Sequence, residues 1–184
     1  MSRVHLFAVA LVSFALIVLS GCQKRATESP AMSAARPTAH SVVEDARLAN
    51  FDDLDFNVFT RQKWDELKKS HAANIVVHWP DGHTTTGIEK HVQDLKALFS
   101  WAPDTRVSAH PIKIADGDYT AVTGVYEGTF TQPMTLPDGT AIQPTGKAFK
   151  LDMCTVGHWN GDTMDEEYLF WDNQSFMKQL GLAK

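Results

Sequence analysis

Residues 144–181 read PTGKAFKLDMCTVGHWNGDTMDEEYLFWDNQSFMKQLG, and this stretch decides the fold. It contains two runs rich in apolar and aromatic residues, and Asn160-Gly161 between them is a strong signal for a short β-hairpin. The second run stops at Trp171-Asp172-Asn173, where an acidic residue and an amide residue are suited to cap a helix. A helix over residues 174–180 would then end at Gly181, as helix C-termini prefer. The stretch therefore predicts two long antiparallel strands followed by a short helix.

The segments before this stretch predict helices first and strands afterwards. Helical patterns cover residues 43–59, 61–70 and 88–100. Extended patterns cover residues 75–79, 105–114 and 119–131. Helices followed by a largely antiparallel meander indicate an α+β domain.

The N-terminal residues have the pattern of a bacterial lipoprotein signal. A short basic start precedes an apolar run over residues 6–19, which is too short to span a bilayer comfortably. The run ends in Leu19-Ser-Gly-Cys22, which resembles the lipobox. This resemblance implies cleavage after Gly21 and acylation of Cys22, whereas an uncleaved anchor and an ordinary signal peptide are the alternatives.

These patterns predict that the chain is divided into three parts. Residues 1–21 are the predicted lipoprotein signal peptide, and residues 43–184 are the predicted α+β domain. Residues 22–42 are rich in Ala, Ser, Thr and Pro without apolar periodicity, which is typical of a flexible tether. The lipid anchor would place the domain at a membrane of the bacterial cell envelope.

Charge and cysteine content narrow the classes of partner. The 184 residues carry 17 Lys and Arg against 22 Asp and Glu, a net charge of −5, and no block of basic residues offers a phosphate-binding stripe. A nucleic-acid partner is therefore not expected. Cys22 and Cys154 are the two cysteines, so an acylated Cys22 leaves Cys154 without an intramolecular disulfide partner.

Six short motifs occur in a familiar order. They are His78-Trp-Pro-Asp-Gly82, Gly87-Ile88, Ala102-Pro-Asp104, Gly128-Thr-Phe130, Pro144-Thr-Gly-Lys147, and Trp171-Asp172 continuing to Gly181. With these motifs in this order, the chain resembles the nuclear transport factor 2-like cone and, within that fold, the SnoaL-like polyketide cyclase (ester cyclase) family. The resemblance covers residues 48–182.

The resemblance implies a curved, mostly antiparallel sheet wrapped around N-terminal helices, with an apolar pocket open at one end. Characterised cyclases of the family use no metal and no organic cofactor, and a carboxylate near the pocket acts as general acid/base in an intramolecular aldol closure. The same fold also hosts other enzymes and pure binding modules. Where many members have Gly-Thr-His, this chain has Gly128-Thr129-Phe130, so a polar pocket group is missing there.

Asp172 is the first candidate for the acid/base. Its neighbours Phe170, Trp171 and Phe176 are apolar, and such a setting would raise the pKa of a carboxylate towards the range useful for proton transfer. The alternative role of Asp172 is that of a helix N-cap, and one residue can fill both roles.

Asp152 and His78 are the other catalytic candidates. Asp152 lies in the middle of a predicted strand, where an acidic residue is unusual, and an ion pair with Lys150 or across to a neighbouring strand is its alternative role. His78 ends a strand and could act as a hydrogen-bonding group in the pocket, or it is a satisfied strand-end histidine. Glu166 and Glu167 are adjacent, so they point to opposite faces of the sheet and cannot form a paired-carboxylate site.

Four aromatic residues are candidates for lining the pocket: Trp79, Tyr126, Phe130 and Trp171. Aromatic residues of such a domain also form its core, which is the alternative. His78 and His83 could ligate zinc in principle, but no Cys or close Glu completes a ligand set, so no metal site is expected.

Three functions remain open from the sequence. The first is a cofactor-free cyclase, isomerase or lyase that acts on a small hydrophobic carbonyl compound. The second is a membrane-anchored lipoprotein that binds a hydrophobic molecule without chemistry. The third is a structural domain that forms a homodimer through its sheet.

Overall fold

The computed structural model describes residues 40–136 and 138–184. The predicted signal peptide, Cys22 and most of the tether lie outside these ranges. Within them, no helix has the length and hydropathy needed to cross a membrane.

The helical elements are α1 (Val42–Asp53), a π-helical turn (Leu54–Phe59), a 3-10 segment (Trp64–Lys69), α2 (Ile88–Trp101) and α3 (Asn173–Leu180). The strands are β1 (His71–His78), β2 (Thr84–Thr86), β3 (Arg106–Val107), β4 (Lys113–Asp116), β5 (Tyr119–Thr129), β6 (Met134–Thr135), β7 (Ala141–Ile142), β8 (Ala148–Asn160) and β9 (Thr163–Trp171).

Seven strands form one sheet in the order β2-β1-β9-β8-β5-β3, with β4 also paired to β5. The pair β1–β9 is parallel, and the other pairs of this sheet are antiparallel. Strands β6 and β7 form a separate small pair. Together with the helices, this mostly antiparallel sheet confirms the predicted α+β class.

The helical N-terminus differs in detail from the prediction. Helix α1 starts with a capping box, in which Ser41 Oγ accepts a hydrogen bond from the Glu44 N–H and Glu44 Oε2 accepts one from the Ser41 N–H. The predicted helix over residues 43–59 is α-helical only to Asp53, and then widens into the π-helical turn. The predicted second helix over residues 61–70 is only the short 3-10 segment.

The C-terminal stretch follows the prediction closely. Asn160 pairs with Thr163 across a two-residue turn, in which Gly161 has a φ of 69°. The Asp172 carboxylate accepts hydrogen bonds from the backbone N–H groups of Gln174 and Ser175, at 2.9 and 3.0 Å, and so caps α3. Gly181 ends the helix in the left-handed conformation.

Side chains alternate between the two faces of β5 and β8, and one face is buried against the helices. On β8 the buried face carries Phe149, Leu151, Thr155 and Trp159, as the period-2 pattern predicts. Phe149 packs on Phe176 of α3 with ring centroids 4.9 Å apart, so the last helix covers one end of the sheet.

Gly128 allows β5 and β8 to pack closely. It pairs with Phe149 across the two strands. A Cβ atom at Gly128 would lie 2.8 Å from Phe149 Cζ and 3.0 Å from Thr105 Oγ1, which is closer than packed atoms approach. A side chain at this position would therefore displace an aromatic ring of the core.

We expect Gly128→Ala to lower the free energy of unfolding by about 1–3 kcal/mol, because it overpacks a filled core. Urea unfolding followed by tryptophan fluorescence measures this change. Thr131→Ala, an exposed substitution nearby, is the control and should change stability by less than about 0.5 kcal/mol. Equal stability of the Gly128→Ala and Thr131→Ala variants would contradict the close approach.

Candidate active site

A cavity of about 50 Å³ lies between the inner face of the sheet, α2 and the π-helical turn. Its wall is mostly apolar and aromatic, and it includes Leu67, Leu95 and Trp79. Four titratable side chains with carboxylate or imidazole groups also line it: Asp55, His71, His91 and Glu167. The cavity therefore combines an apolar wall with two groups of proton-transferring side chains.

The first group is centred on Asp55, which the π-helical turn carries into the cavity wall. Asp55 Oδ2 lies 2.8 Å from His110 Nε2, and the other imidazole nitrogen lies 2.8 Å from Asp52 Oδ1. Lys113 Nζ in turn lies 2.6 Å from Asp52 Oδ2. The ring of His110 packs on Phe56 with centroids 4.4 Å apart, which fixes the imidazole between the two carboxylates.

The pKa values in this group are shifted in directions that suit a shared proton. Burial raises the pKa of Asp55, although the hydrogen bond and charge of His110 oppose this effect. Burial alone would lower the pKa of His110, but its hydrogen bonds to Asp55 and Asp52 outweigh burial and raise the pKa. For Asp52, burial is outweighed by the hydrogen bonds from Lys113 and His110, so the pKa is lowered and Asp52 stays ionised.

The second group is a cluster of His71, His91 and Glu167, which come from β1, α2 and β9. Glu167 Oε2 lies 3.6 Å from His71 Nε2 and 3.5 Å from His91 Nε2. The three side chains are 1%, 4% and 6% exposed for His71, His91 and Glu167, respectively. The cluster is therefore almost fully removed from solvent.

Burial also shifts the pKa values of the side chains in this cluster. It lowers the pKa of His91 to about 4, so the imidazole is neutral at physiological pH. Burial would raise the pKa of Glu167, but the imidazole of His71, 3.6 Å away, opposes this effect, and the pKa lies below its usual value. Glu167 is therefore an ionised carboxylate inside an apolar wall.

A β-bulge decides which of two adjacent glutamates enters the cavity. Trp159 pairs with Met164 and His158 with Glu166, so Asp165 is an extra residue on β9. Past the bulge, Glu167, Leu169 and Trp171 line the cavity, and Glu166 is on the outer face. The predicted opposite orientation of Glu166 and Glu167 is thus what the strand adopts.

None of the three predicted catalytic residues, Asp172, Asp152 and His78, lines the cavity. Asp172 is exposed and caps α3. Asp152 is exposed on β8. His78 Nε2 lies 2.8 Å from Glu166 Oε1 outside the cavity, and its ring stacks on Tyr168.

Three of the four predicted pocket aromatics, Trp79, Tyr126 and Trp171, line the cavity. Phe130 is fully buried and packs edge-to-face on Trp101, outside the lining. The structure therefore brings three of the four predicted aromatic residues together with polar residues that were not predicted.

Sequence reasoning did not select Asp55, His71, His91 or Glu167 as site residues. One signal was present: His91 falls on the inward stripe of α2, where a polar residue requires an explanation. His71 lay outside the predicted first strand, which began at residue 75 but starts at His71 in the structure. Asp55 and Glu167 reach the cavity through a π-helical turn and a β-bulge, which have no reliable sequence pattern.

We expect Asp52→Asn to lower the pKa of His110, because it removes one of the two negative charges that hold the imidazolium. The pKa of His110 is expected to decrease by about 1 pH unit. A pH titration of the His110 ring protons by NMR measures the pKa, with the resonance assigned by its loss in His110→Gln. Asp152→Asn is the matched control and should leave this titration unchanged, whereas an unchanged pKa in Asp52→Asn would contradict the coupling.

Comparison with solved structures shows the same fold in other proteins. A candidate SnoaL-like polyketide cyclase from Jannaschia sp. CCS1 matches with a TM-score of 0.69 at 16% identity, over 80% of this chain and 99% of that chain. IdmH, a candidate polyketide cyclase from Streptomyces antibioticus, matches with a TM-score of 0.60 at 19% identity, over 73% of this chain and 98% of its own. A hypothetical protein with a ketosteroid isomerase-like fold from Catenulispora acidiphila DSM 44928, in complex with trimethylamine, matches with a TM-score of 0.58 at 18% identity, over 74% of this chain and 92% of that one. At these identities the likeness concerns the fold.

Sequence comparison gives the family. No curated protein sequence matches this chain significantly. The sequence profile of the SnoaL-like polyketide cyclases matches residues 52–180, a range that contains Asp55, Glu167 and every described strand. The chain therefore belongs to the SnoaL-like polyketide cyclase family.

Proposed function

We propose that this protein catalyses proton transfer next to a carbonyl group in a small hydrophobic compound, with Asp55 as the general acid/base. Family membership supports this class of reaction, and one observation assigns the acid/base role to Asp55. Asp55 is a mostly buried carboxyl group, 14% exposed, with a raised pKa in the wall of an apolar cavity and a hydrogen bond to a histidine. Buried carboxyl groups with raised pKa values are suited to accept and return protons near neutral pH.

The residues around Asp55 have defined roles in this proposal. Lys113 keeps Asp52 ionised, and Asp52 accepts the Nδ1–H of His110, which leaves His110 Nε2 facing Asp55. One proton can then lie on either Asp55 or His110 Nε2. His110 and Asp52 are therefore positioning residues, and Asp55 is the group that contacts the substrate.

In an intramolecular cyclisation at this site, every proton that Asp55 removes is returned to the product. The ionised Asp55 takes a proton from the carbon next to the substrate carbonyl, and the C–H electron pair forms an enolate. The enolate carbon attacks a second carbonyl carbon of the same molecule, and the protonated Asp55 returns its proton to the resulting alkoxide. No electrons are gained or lost, so the step needs no redox partner.

The size of the cavity limits the substrate. A volume of about 50 Å³ is several times the space that one water molecule needs, but it is small for a multi-ring compound. A small ketone fits the cavity as it stands, whereas a larger substrate requires the surrounding side chains, such as Met153 and Trp171, to move. A small carbonyl compound is therefore the appropriate first probe.

The proposal is tested by deuterium exchange into acetone and cyclopentanone in D₂O, followed by mass spectrometry. The wild-type protein should accelerate exchange at the carbon next to the carbonyl. Asp55→Asn should reduce this acceleration by about 100-fold or more, because general acid/base catalysis contributes on the order of 10²–10⁴-fold.

Matched controls separate Asp55 from other carboxylates. Asp152→Asn and Asp172→Asn change exposed carboxylates outside the cavity and should keep the wild-type rate of exchange. Full activity of a folded Asp55→Asn variant would overturn the assignment of Asp55.

Binding of a small hydrophobic molecule without chemistry is the second candidate function. The apolar majority of the cavity wall supports it, with Leu54, Leu98 and Val107 among the lining residues. Native mass spectrometry of the gently purified protein distinguishes the two functions. A bound compound that is recovered unchanged after prolonged incubation would favour binding over catalysis.

We also propose that the chain is anchored to a membrane of the bacterial cell envelope through a lipid on Cys22. The lipobox-like sequence before this cysteine supports the proposal. Because stable anchoring depends on the acyl chains, Cys22→Ser should shift the protein from the membrane fraction to the soluble fraction and abolish labelling with radioactive palmitate. Cys154→Ser is the control, and palmitate labelling that persists in Cys22→Ser would contradict the proposal.

A further inference from the structure

His71, His91 and Glu167 contain buried polar atoms that have no partner within residues 40–136 and 138–184. These atoms are His71 Nε2, His91 Nδ1 and Glu167 Oε2. Burying polar atoms without hydrogen bonds is unfavourable, and burying an ionised carboxylate costs far more unless a positive charge compensates it. His71 Nε2 lies 3.6 Å from Glu167 Oε2, and His91 Nε2 lies 3.5 Å from the same oxygen, so one cation could contact all three side chains.

The hydrogen bonds around His71 define which of its nitrogens is free. The Ser70 hydroxyl lies 3.1 Å from the Leu67 carbonyl oxygen, to which it donates. Ser70 Oγ then accepts the Nδ1–H of His71, 2.8 Å away. His71 Nε2 is left with a lone pair that faces Glu167 and the cavity. A metal-binding histidine is held in this way, with one nitrogen donating to a neighbour and the other free.

An ion pair between Glu167 and the histidines does not account for the geometry. The separations of 3.5 and 3.6 Å are longer than charge-assisted hydrogen bonds, which are about 2.7–2.9 Å. Ser70 occupies Nδ1 of His71, and the remaining contact to Glu167 is long.

We propose that His71, His91 and Glu167 bind a divalent transition-metal ion, with Zn²⁺ as the best fit, and that its open coordination position faces the cavity. Two histidines and one glutamate are a known ligand set of catalytic zinc sites, which keep the fourth position for water or substrate. All three ligand atoms lie within 4.8 Å of one another.

The spacing of the ligand atoms favours zinc. Metal–ligand bonds of about 2.0–2.1 Å in tetrahedral geometry place neighbouring ligand atoms about 3.3–3.4 Å apart. The same bonds at right angles, as in an octahedral site, would place them about 2.8–3.0 Å apart. The separations of 3.5 and 3.6 Å between Glu167 and the two histidines are nearer to the tetrahedral value, and the ligand atoms of the two histidines lie within 4.8 Å of each other.

The metal site goes beyond the proposed acid/base function and does not depend on it. The proton transfer assigned to Asp55 needs no metal, and metal binding can be measured without a substrate. The two sets of residues nevertheless line one cavity, so an ion at the cluster would face the compound on which Asp55 acts. The site would bind a carbonyl oxygen or a water molecule at the open position.

The experiment uses the full chain, purified in detergent, stripped of metal with a chelator and titrated with Zn²⁺ by calorimetry. We expect one high-affinity site per chain. Glu167→Gln and His91→Ala remove ligands and should each weaken binding by about 100-fold or more. Ser70→Ala removes the partner of His71 Nδ1 and should weaken binding by about 10–100-fold.

His78 and Glu166 provide a matched control, because they form a histidine–glutamate pair on the outer face with similar side chains. His78→Ala and Glu166→Gln should leave the zinc affinity unchanged. Zinc should also raise the melting temperature of the wild-type protein and of these two control variants, but not that of Glu167→Gln.

A spectroscopic measurement on the wild-type protein covers the case in which the variants do not fold. Co²⁺ in place of Zn²⁺ should give the intense visible absorption bands of a tetrahedral site. Absence of these bands together with absence of calorimetric zinc binding would overturn the proposal. Zinc affinity that is unchanged in a folded Glu167→Gln variant would also overturn it.

Discussion

Glu167 of β9 carries a carboxylate into a wall of leucine, tryptophan and methionine side chains, and Asp55 of the π-helical turn does the same. Removing such groups from water costs several kcal/mol each unless charges or hydrogen bonds replace the water. The surrounding structure is arranged around this requirement. Asp55 is held by His110, which is fixed in turn by Asp52 and Phe56, and Glu167 faces two histidines from separate elements.

Two irregularities of the backbone place these carboxylates. In the π-helical turn, the Thr60 N–H donates to the Asp55 carbonyl and the Lys63 N–H donates to the Val58 carbonyl, which are bonds to the fifth preceding residue. The widened turn presents Leu54, Asp55 and Phe59 to the cavity together. On β9 the extra residue Asp165 reverses the alternation, so that Glu167 instead of Glu166 is on the same face as Met164.

The fold could be predicted from the sequence to a large extent, and the polar site could not. The hairpin at residues 160–163, the Asp172 cap and the alternation along β8 depend on local chemistry, which is visible in neighbouring residues. Trp79, Tyr126 and Trp171, which line the cavity, were also among the aromatic residues predicted as candidates for the pocket. The position of Asp55 depends instead on one widened helical turn, and the position of Glu167 depends on one inserted residue in β9. Inserting one residue in a strand exchanges its buried and its exposed side chains.

The two faces of β9 show why the buried cluster indicates function. On the outer face, Glu166 pairs with His78 and Asp165 with His158, and these partly exposed pairs contribute little to stability, about 0–1 kcal/mol each. Glu167, next in sequence, is only 6% exposed and has no close hydrogen bond among the described residues. Apolar residues of similar volume in place of a buried ionic cluster are often neutral or stabilising by about 1–4 kcal/mol. Packing alone therefore gives no reason for two histidines and a carboxylate at this position, and groups that a fold buries at such a cost are characteristic of sites that bind or react.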